Sequence, residues 1–235
     1  YQVAGYPAMA LGHLRTMPTD EAFSSILREF LRGDFDAALT AVQAFWKVQH
    51  QLGEDRVLWA VADDEDEGAR LVDLEMSTVR HVIMCIGTIC SYLRTGEAAL
   101  VDRALAKLDA LARSYLHSRD PYSYLLARLC AGAAHCFIEA SLWPHIERLA
   151  DDVNLRTRAA LTQFARAAFV NRRALVWPAQ RAGIDRLAAN DSFVLCTPTG
   201  SGKTTIATLG AVQGLFAPRT NPSLPENLIL YLVPS

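Results

Sequence analysis

The longest apolar run in this chain, Val82 to Tyr92, falls far short of the roughly 20 residues a membrane helix needs. With Arg80, His81 and Arg94 at its flanks it reads as a buried core helix, and no membrane partner is expected. The five cysteines (Cys85, Cys90, Cys130, Cys136, Cys196) include no CxxC pair, and their odd number does not suit a disulfide framework; a reducing, cytoplasmic setting is expected. Cys130, His135 and Cys136 are close in sequence, yet on a helix at about 100° per residue the two thiols diverge by roughly 120°, which disfavours a zinc site. Excess basic charge is also absent: a net charge of −2 and a pI near 6.3 argue against holding nucleic acid by overall basicity, though a local basic groove stays open. The chain begins YQVAGYPAMALGH, without an initiator methionine or a basic region ahead of an apolar one, so no signal peptide is expected and the natural chain is expected to start earlier.

Proline is scarce through most of the sequence. Between Pro18 and Pro178 only Pro121 and Pro144 occur, whereas Pro198, Pro218, Pro222, Pro225 and Pro234 crowd the end, and this shift marks a domain boundary near residue 170. At 235 residues and 51% hydrophobic, the chain has room for one or two domains with buried cores.

The first part has helical periodicity. Phe23, Ile26, Leu27, Phe30 and Leu31 follow the i, i+3, i+4 rule after a Thr19-Asp20 start signal, and Gly33 ends the run. Phe35, Ala38, Leu39, Val42, Phe45 and Trp46 repeat the pattern at once, which makes a helical hairpin. Val101, Ala104, Leu105, Leu108, Leu111, Ala112 and Tyr115 form another apolar stripe. Leu31-Arg32-Gly33 before Ala37-Ala38-Leu39 is echoed by Leu93-Arg94-Thr95-Gly96 before Ala98-Ala99-Leu100, as in a helix, a glycine turn and a second helix; a bundle and a repeat array both fit. The acidic run Asp63 to Glu67 reads as a solvated loop, with a docking role as the alternative.

From residue 171 the pattern changes to a short helix around Gln180 to Ala189, a β-like run Ser192 to Cys196, a glycine-rich turn and a helix from Lys203 to about Leu215. A second β-like run, Leu228 to Val233, is apolar throughout, as a strand buried on both faces would be. Between the first run and the helix stands Thr197-Pro198-Thr199-Gly200-Ser201-Gly202-Lys203-Thr204, a phosphate-binding loop in which Thr197 replaces the first glycine. Gly200 and Gly202 let the backbone curl so that successive N–H groups, at the positive end of the following helix, face one anion-sized concavity. Lys203 supplies a point charge for the β- and γ-phosphates, and the Thr204 hydroxyl suits Mg²⁺. Thr199, Ser201 and Thr205 complete the expected nucleotide cradle, with Lys203 and Thr204 as the expected catalytic pair.

The string TPTGSGKT resembles motif I of superfamily 2 helicases, the DEAD/DEAH-box and related ATPases. Trp177-Pro178-Ala179-Gln180 resembles the Q motif of that family, in which a glutamine reads the adenine edge; Lys203 lies 23 positions further on (203 − 180), a similar separation to the family's. Leu232-Val233-Pro234-Ser235 resembles the start of motif Ia, which implies nucleic-acid backbone contacts at Pro234 and Ser235. The Gln180 amide places a donor beside an acceptor, as N6 and N7 of adenine require, and helix capping is the plainer alternative. Trp177 suits either stacking on the base or packing. Arg156, Arg158, Arg166, Arg172 and Arg173 make a basic stretch, read as a solvated face first and as phosphate contacts second.

The resemblance implies a mainly α N-terminal accessory domain over residues 1–170, followed by the first part of an α/β RecA-like domain over residues 171–235. It implies ATP and Mg²⁺ as cofactors and DNA or RNA as the track. It also implies a later carboxylate motif and a second lobe, so the chain is expected to be an excerpt of a larger enzyme that does not hydrolyse ATP by itself. Helicases with helical extensions occur in anti-phage defence and repair, a role that rests on analogy. Two rivals stay open. One is a secretion-type ATPase, whose loop also reads PTGSGKTT; the other is a helical module that docks a nuclease or adaptor protein.

Overall fold

The computed structural model describes residues 7–15, 22–57, 67–116, 121–150, 155–189, 193–196 and 202–216. Backbone contacts divide the chain into two compact units, 1–139 and 140–235. The composition break near residue 170 therefore does not coincide with the packing division, because two helices ahead of the break pack with the helices beyond it.

Among the described residues the first unit contains α1 (Pro7–Leu14), α2 (Ala22–Arg32), α3 (Phe35–Val57), α4 (Glu67–Thr95), α5 (Val101–Leu116) and α6 (Pro121–Glu139). The stripe on α2 buries Ile26, Leu27 and Phe30. Its stop is Gly33, at φ 81°, where Asp34 N–H donates to the Glu29 carbonyl at 3.0 Å and Gly33 N–H to Phe30 at 3.1 Å. This is the paired closing bond that a left-handed glycine makes possible. Asp34 then starts α3, its carbonyl accepting from Ala38 N–H at 2.9 Å. Phe30, Phe35 and Phe137 meet edge to face at centroid distances of 5.1 to 6.2 Å, tying the α2–α3 hairpin to the end of α6.

The apolar run lies inside α4 as expected: Val82, Ile83, Ile86, Ile89 and Cys90 are wholly buried. A Cβ on Gly87 would lie 2.9 Å from Val42 Cγ1, so α3 approaches α4 closely at that point. Gly96, at φ 82°, closes the second helix–glycine–helix echo ahead of a 3₁₀ turn (Ala98–Leu100) and α5. Alongside these elements runs an open groove of about 380 Å³ lined by Leu39, Trp46, Met84 and Leu100. Burial pushes the Cys85 thiol up to about 11 and, with Cys85 beside it, the Cys130 thiol to about 12, which leaves both protonated and unreactive. His135 faces Asp109 at 3.6 Å, and among the described residues no group of three His, Cys, Asp or Glu side chains could hold a metal.

The second unit contains α7 (Trp143–Ala150), α8 (Leu155–Val170), α9 (Pro178–Ala188) and α10 (Lys203–Phe216). Ser141 and Leu175 form an isolated antiparallel bridge, flanked by Leu142 N–H to Ala174 at 2.9 Å and Val176 N–H to Ala140 at 2.7 Å. α8 buries Thr157, Leu161, Ala165, Ala168 and Phe169 and packs on α10; the Thr157 hydroxyl donates to the Phe216 carbonyl at 2.7 Å. Arg172, at φ 58°, ends α8 with Arg173 N–H donating to Ala168 at 2.7 Å.

The expected β-run differs from what is seen. Among the described residues there is no strand: Phe193 to Cys196 run without ladder bonds, and Val194 is 87% exposed. A strand exists only through bonds to a neighbour, and the expected neighbour, Leu228 to Val233, lies outside the described residues, as does most of the expected glycine-rich turn, Thr197 to Ser201.

Candidate functional site

α9 begins with Pro178 at its first position, where the missing N–H is no loss. Gln180, two residues later, is 7% exposed. Its Oε1 accepts from the Trp177 backbone N–H at 2.8 Å, satisfying a donor that the helix start would leave unpaired. The capping role is therefore filled.

The other half of the amide faces the loop ahead of α10. Gly202 has φ 82°, and a Cβ placed on it would lie 1.9 Å from Gln180 Nε2 and 2.8 Å from Cδ. Glycine is required at 202 twice over, by the left-handed backbone and by the side chain pressed against its α-carbon. Immediately afterwards Lys203 and Thr204 open α10 with exposed side chains, Thr205 is half-buried, and Thr205 N–H donates to the Gly202 carbonyl at 3.0 Å.

Two more glycines set the distance between the helices. A Cβ on Gly183 would stand 2.5 Å from Ile206 Cδ1, and one on Gly210 would stand 3.1 Å from Leu187 Cδ2. Gly183 on α9 receives Ile206 of α10, and Gly210 on α10 receives Leu187 of α9. The start of α9 is thus held against the start of α10, bringing Gln180 to Gly202 although 22 positions separate them (202 − 180). Trp177, just ahead, is 53% exposed. Thr199, Gly200, Ser201, Pro234 and Ser235 lie outside the described residues.

One group that sequence reasoning missed is His145 on α7. It is buried among Arg148, Arg181 and Asp185, and its pKa is lowered first by burial, then by Arg148 and Arg181, with Asp185 opposing. Arg148 is paired with Asp185, linking α7 to α9. Only the His145–Arg148 spacing was visible in sequence; the α9 partners are about 40 positions away and carry no local signal.

A left-handed glycine followed by Lys-Thr at the start of a 14-residue helix is the arrangement of a phosphate-binding loop, with N–H groups and a cation at the positive helix end. Residues 177–235 match the DEAD/DEAH box helicase family, which supports a helicase-like ATPase. The match begins at Trp177, the residue whose N–H Gln180 caps. Comparison with curated proteins gave no match, and comparison with solved structures gave none either. No helix of the described residues is long and apolar enough to cross a membrane.

Proposed function

We propose that this chain carries the ATP-binding front of a superfamily 2 helicase motor that works on DNA or RNA. The carrying observation is the family match over 177–235, with Gly202, Lys203 and Thr204 at the start of α10. The site fits a nucleotide phosphate in two respects: Gly202 takes the left-handed turn that a phosphate cradle needs, and the Lys203 and Thr204 side chains are exposed. Lys203 holds the β- and γ-phosphates, Thr204 is a ligand for Mg²⁺, and Thr199, Gly200, Ser201, Gly202 and Thr205 form the cradle. Bound MgATP supplies the phosphoryl group whose transfer drives the motor. Trp177 lies against the base. Gln180 has one Oε1 lone pair left after capping, and that lone pair can accept from adenine N6–H. Pro234 and Ser235 are the nucleic-acid contacts of this reading.

On this reading the motor portion starts near residue 171, and α7 and α8 brace it from the N-terminal side. Equilibrium binding of a fluorescent ATP analogue with Mg²⁺ is the test. Lys203→Ala should weaken binding at least about tenfold, the worth of one charge-assisted contact, and leave the circular dichroism melt unchanged. Equal affinity in both proteins would refute the loop assignment. A secretion-type ATPase would bind through the same loop without preferring adenine, so competition by GTP separates the two.

A further inference from the structure

The acidic balance of the whole chain conceals a local reversal. Residues 155–189 hold seven arginines and one aspartate, a balance of +6, so with a total of −2 the rest of the chain carries −8. The single aspartate, Asp185, is already paired with Arg148. Elsewhere Arg28, Arg32 and Arg128 each have a carboxylate within 4.0 Å. α8 contains no Asp or Glu, and the nearest carboxylates in sequence, Asp151 and Asp152, precede it. Arg156, Arg158 and Arg166 are exposed and form no ion pair among the described residues.

We propose that the solvent face of α8, built on Arg156, Arg158 and Arg166, grips the phosphate backbone of a nucleic acid at a site separate from the residues that match the helicase family. Arg156 and Arg166 lie about 80° apart around the helix and about 15 Å apart along it, with Arg158 on the flank. Between them the exposed positions are Ala159 and Gln163, short neutral side chains that let a polyanion come close. A phosphate backbone laid along this face is attracted by the three guanidinium groups and releases its counterions. An anionic membrane is the poorer partner, because an interfacial helix needs a free apolar face and the apolar face of α8 is buried. Through Thr157 and Phe216 the grip is fixed to the helix that begins at Lys203. The proposal rests on the motor reading only for choosing nucleic acid over other polyanions.

The test is fluorescence anisotropy of a labelled single-stranded oligonucleotide bound to the full chain, titrated from 0.05 to 1 M salt. Removing two phosphate contacts with R156Q/R166Q should lower the slope of log K against log salt by about 1.4, or about tenfold in affinity at 0.2 M on curves that converge near 1 M. R156K/R166K should restore most of the slope, since a phosphate contact needs only the charge. The exposed pair R103Q/R113Q changes net charge equally and should leave the slope in place. An unaltered slope in R156Q/R166Q overturns the proposal, and so does binding to phosphatidylserine vesicles in place of the oligonucleotide. Lys203→Ala should keep the full slope, so failure of the nucleotide reading and failure of this one are told apart.

Discussion

Replacing Gly202 by alanine tests the contact on which the candidate site depends. Two costs arise separately. A side chain at φ 82° is strained by about 1–2 kcal/mol. The new methyl group also occupies space 1.9 Å from Gln180 Nε2, so the amide must swing away and release the Trp177 N–H, a lost cap of about 1 kcal/mol. The total is about 2–3 kcal/mol, which corresponds to roughly 30- to 150-fold faster hydrogen exchange wherever amides exchange through opening of the second unit. Exchange followed by mass spectrometry on peptides from α9 and α10 reads that unit separately from the first. In a Gln180→Ala background the overlap is gone and the cap already lost, so Gly202→Ala should then cost only the backbone term. The double-mutant cycle should therefore show about 1 kcal/mol of coupling. If Gly202→Ala costs the same in both backgrounds, Gln180 does not press on Gly202 and the contact proposed between them is refuted.

Gly183→Ala should destabilise the second unit through overlap with Ile206, by about 1–3 kcal/mol, and Ile206→Val should recover part of that loss in a urea melt; no recovery would mean that the strain lies elsewhere. Gln180→Ala should narrow a preference for ATP over GTP, a mismatch of roughly 1–3 kcal/mol, in competition binding, and a wild type without base preference would leave Gln180 as a cap alone. For His145 the folded pKa lies below the ordinary 6.5, so the unfolded chain binds more protons as pH falls. The stability contributed is fully present above pH 6.5 and is lost as pH falls towards the folded pKa; His145→Gln should flatten this part of the urea-midpoint profile, whereas parallel profiles would refute the assignment.

Legibility in the sequence tracks the range of the interactions. The stripe Ile26, Leu27, Phe30, the Gly33 stop and the Val101, Ala104, Leu108, Ala112 face are set within one or two turns, and the helices formed where periodicity places them. The start of α10 at Lys203 was legible for the same reason. Not legible were the attachment of α7 and α8 to the second unit and the bridge from Ser141 to Leu175, since these depend on partners more than 30 positions away. Gln180 illustrates the divide: its type and spacing pointed to a base contact, but only the fold reveals that its Oε1 serves Trp177 and its Nε2 rests on Gly202.

The bridge between Ser141 and Leu175 makes the chain pass the same point twice, with α-carbons about 5 Å apart. Everything from α7 through α8 is thereby a closed excursion whose exit, at Val176, adjoins the first residue of the helicase match. Its two ends are joined by this bridge and its flanking hydrogen bonds. A protease cut between α7 and α8 would leave both pieces in place, the first held by the bridge and by Arg148 on Asp185, the second by the Thr157 bond to α10. The same closure lets the length between the two helices change while residues 140 and 176 stay where they are, because lengthening a loop that is already closed costs only a fraction of a kcal/mol per doubling, about 0.6.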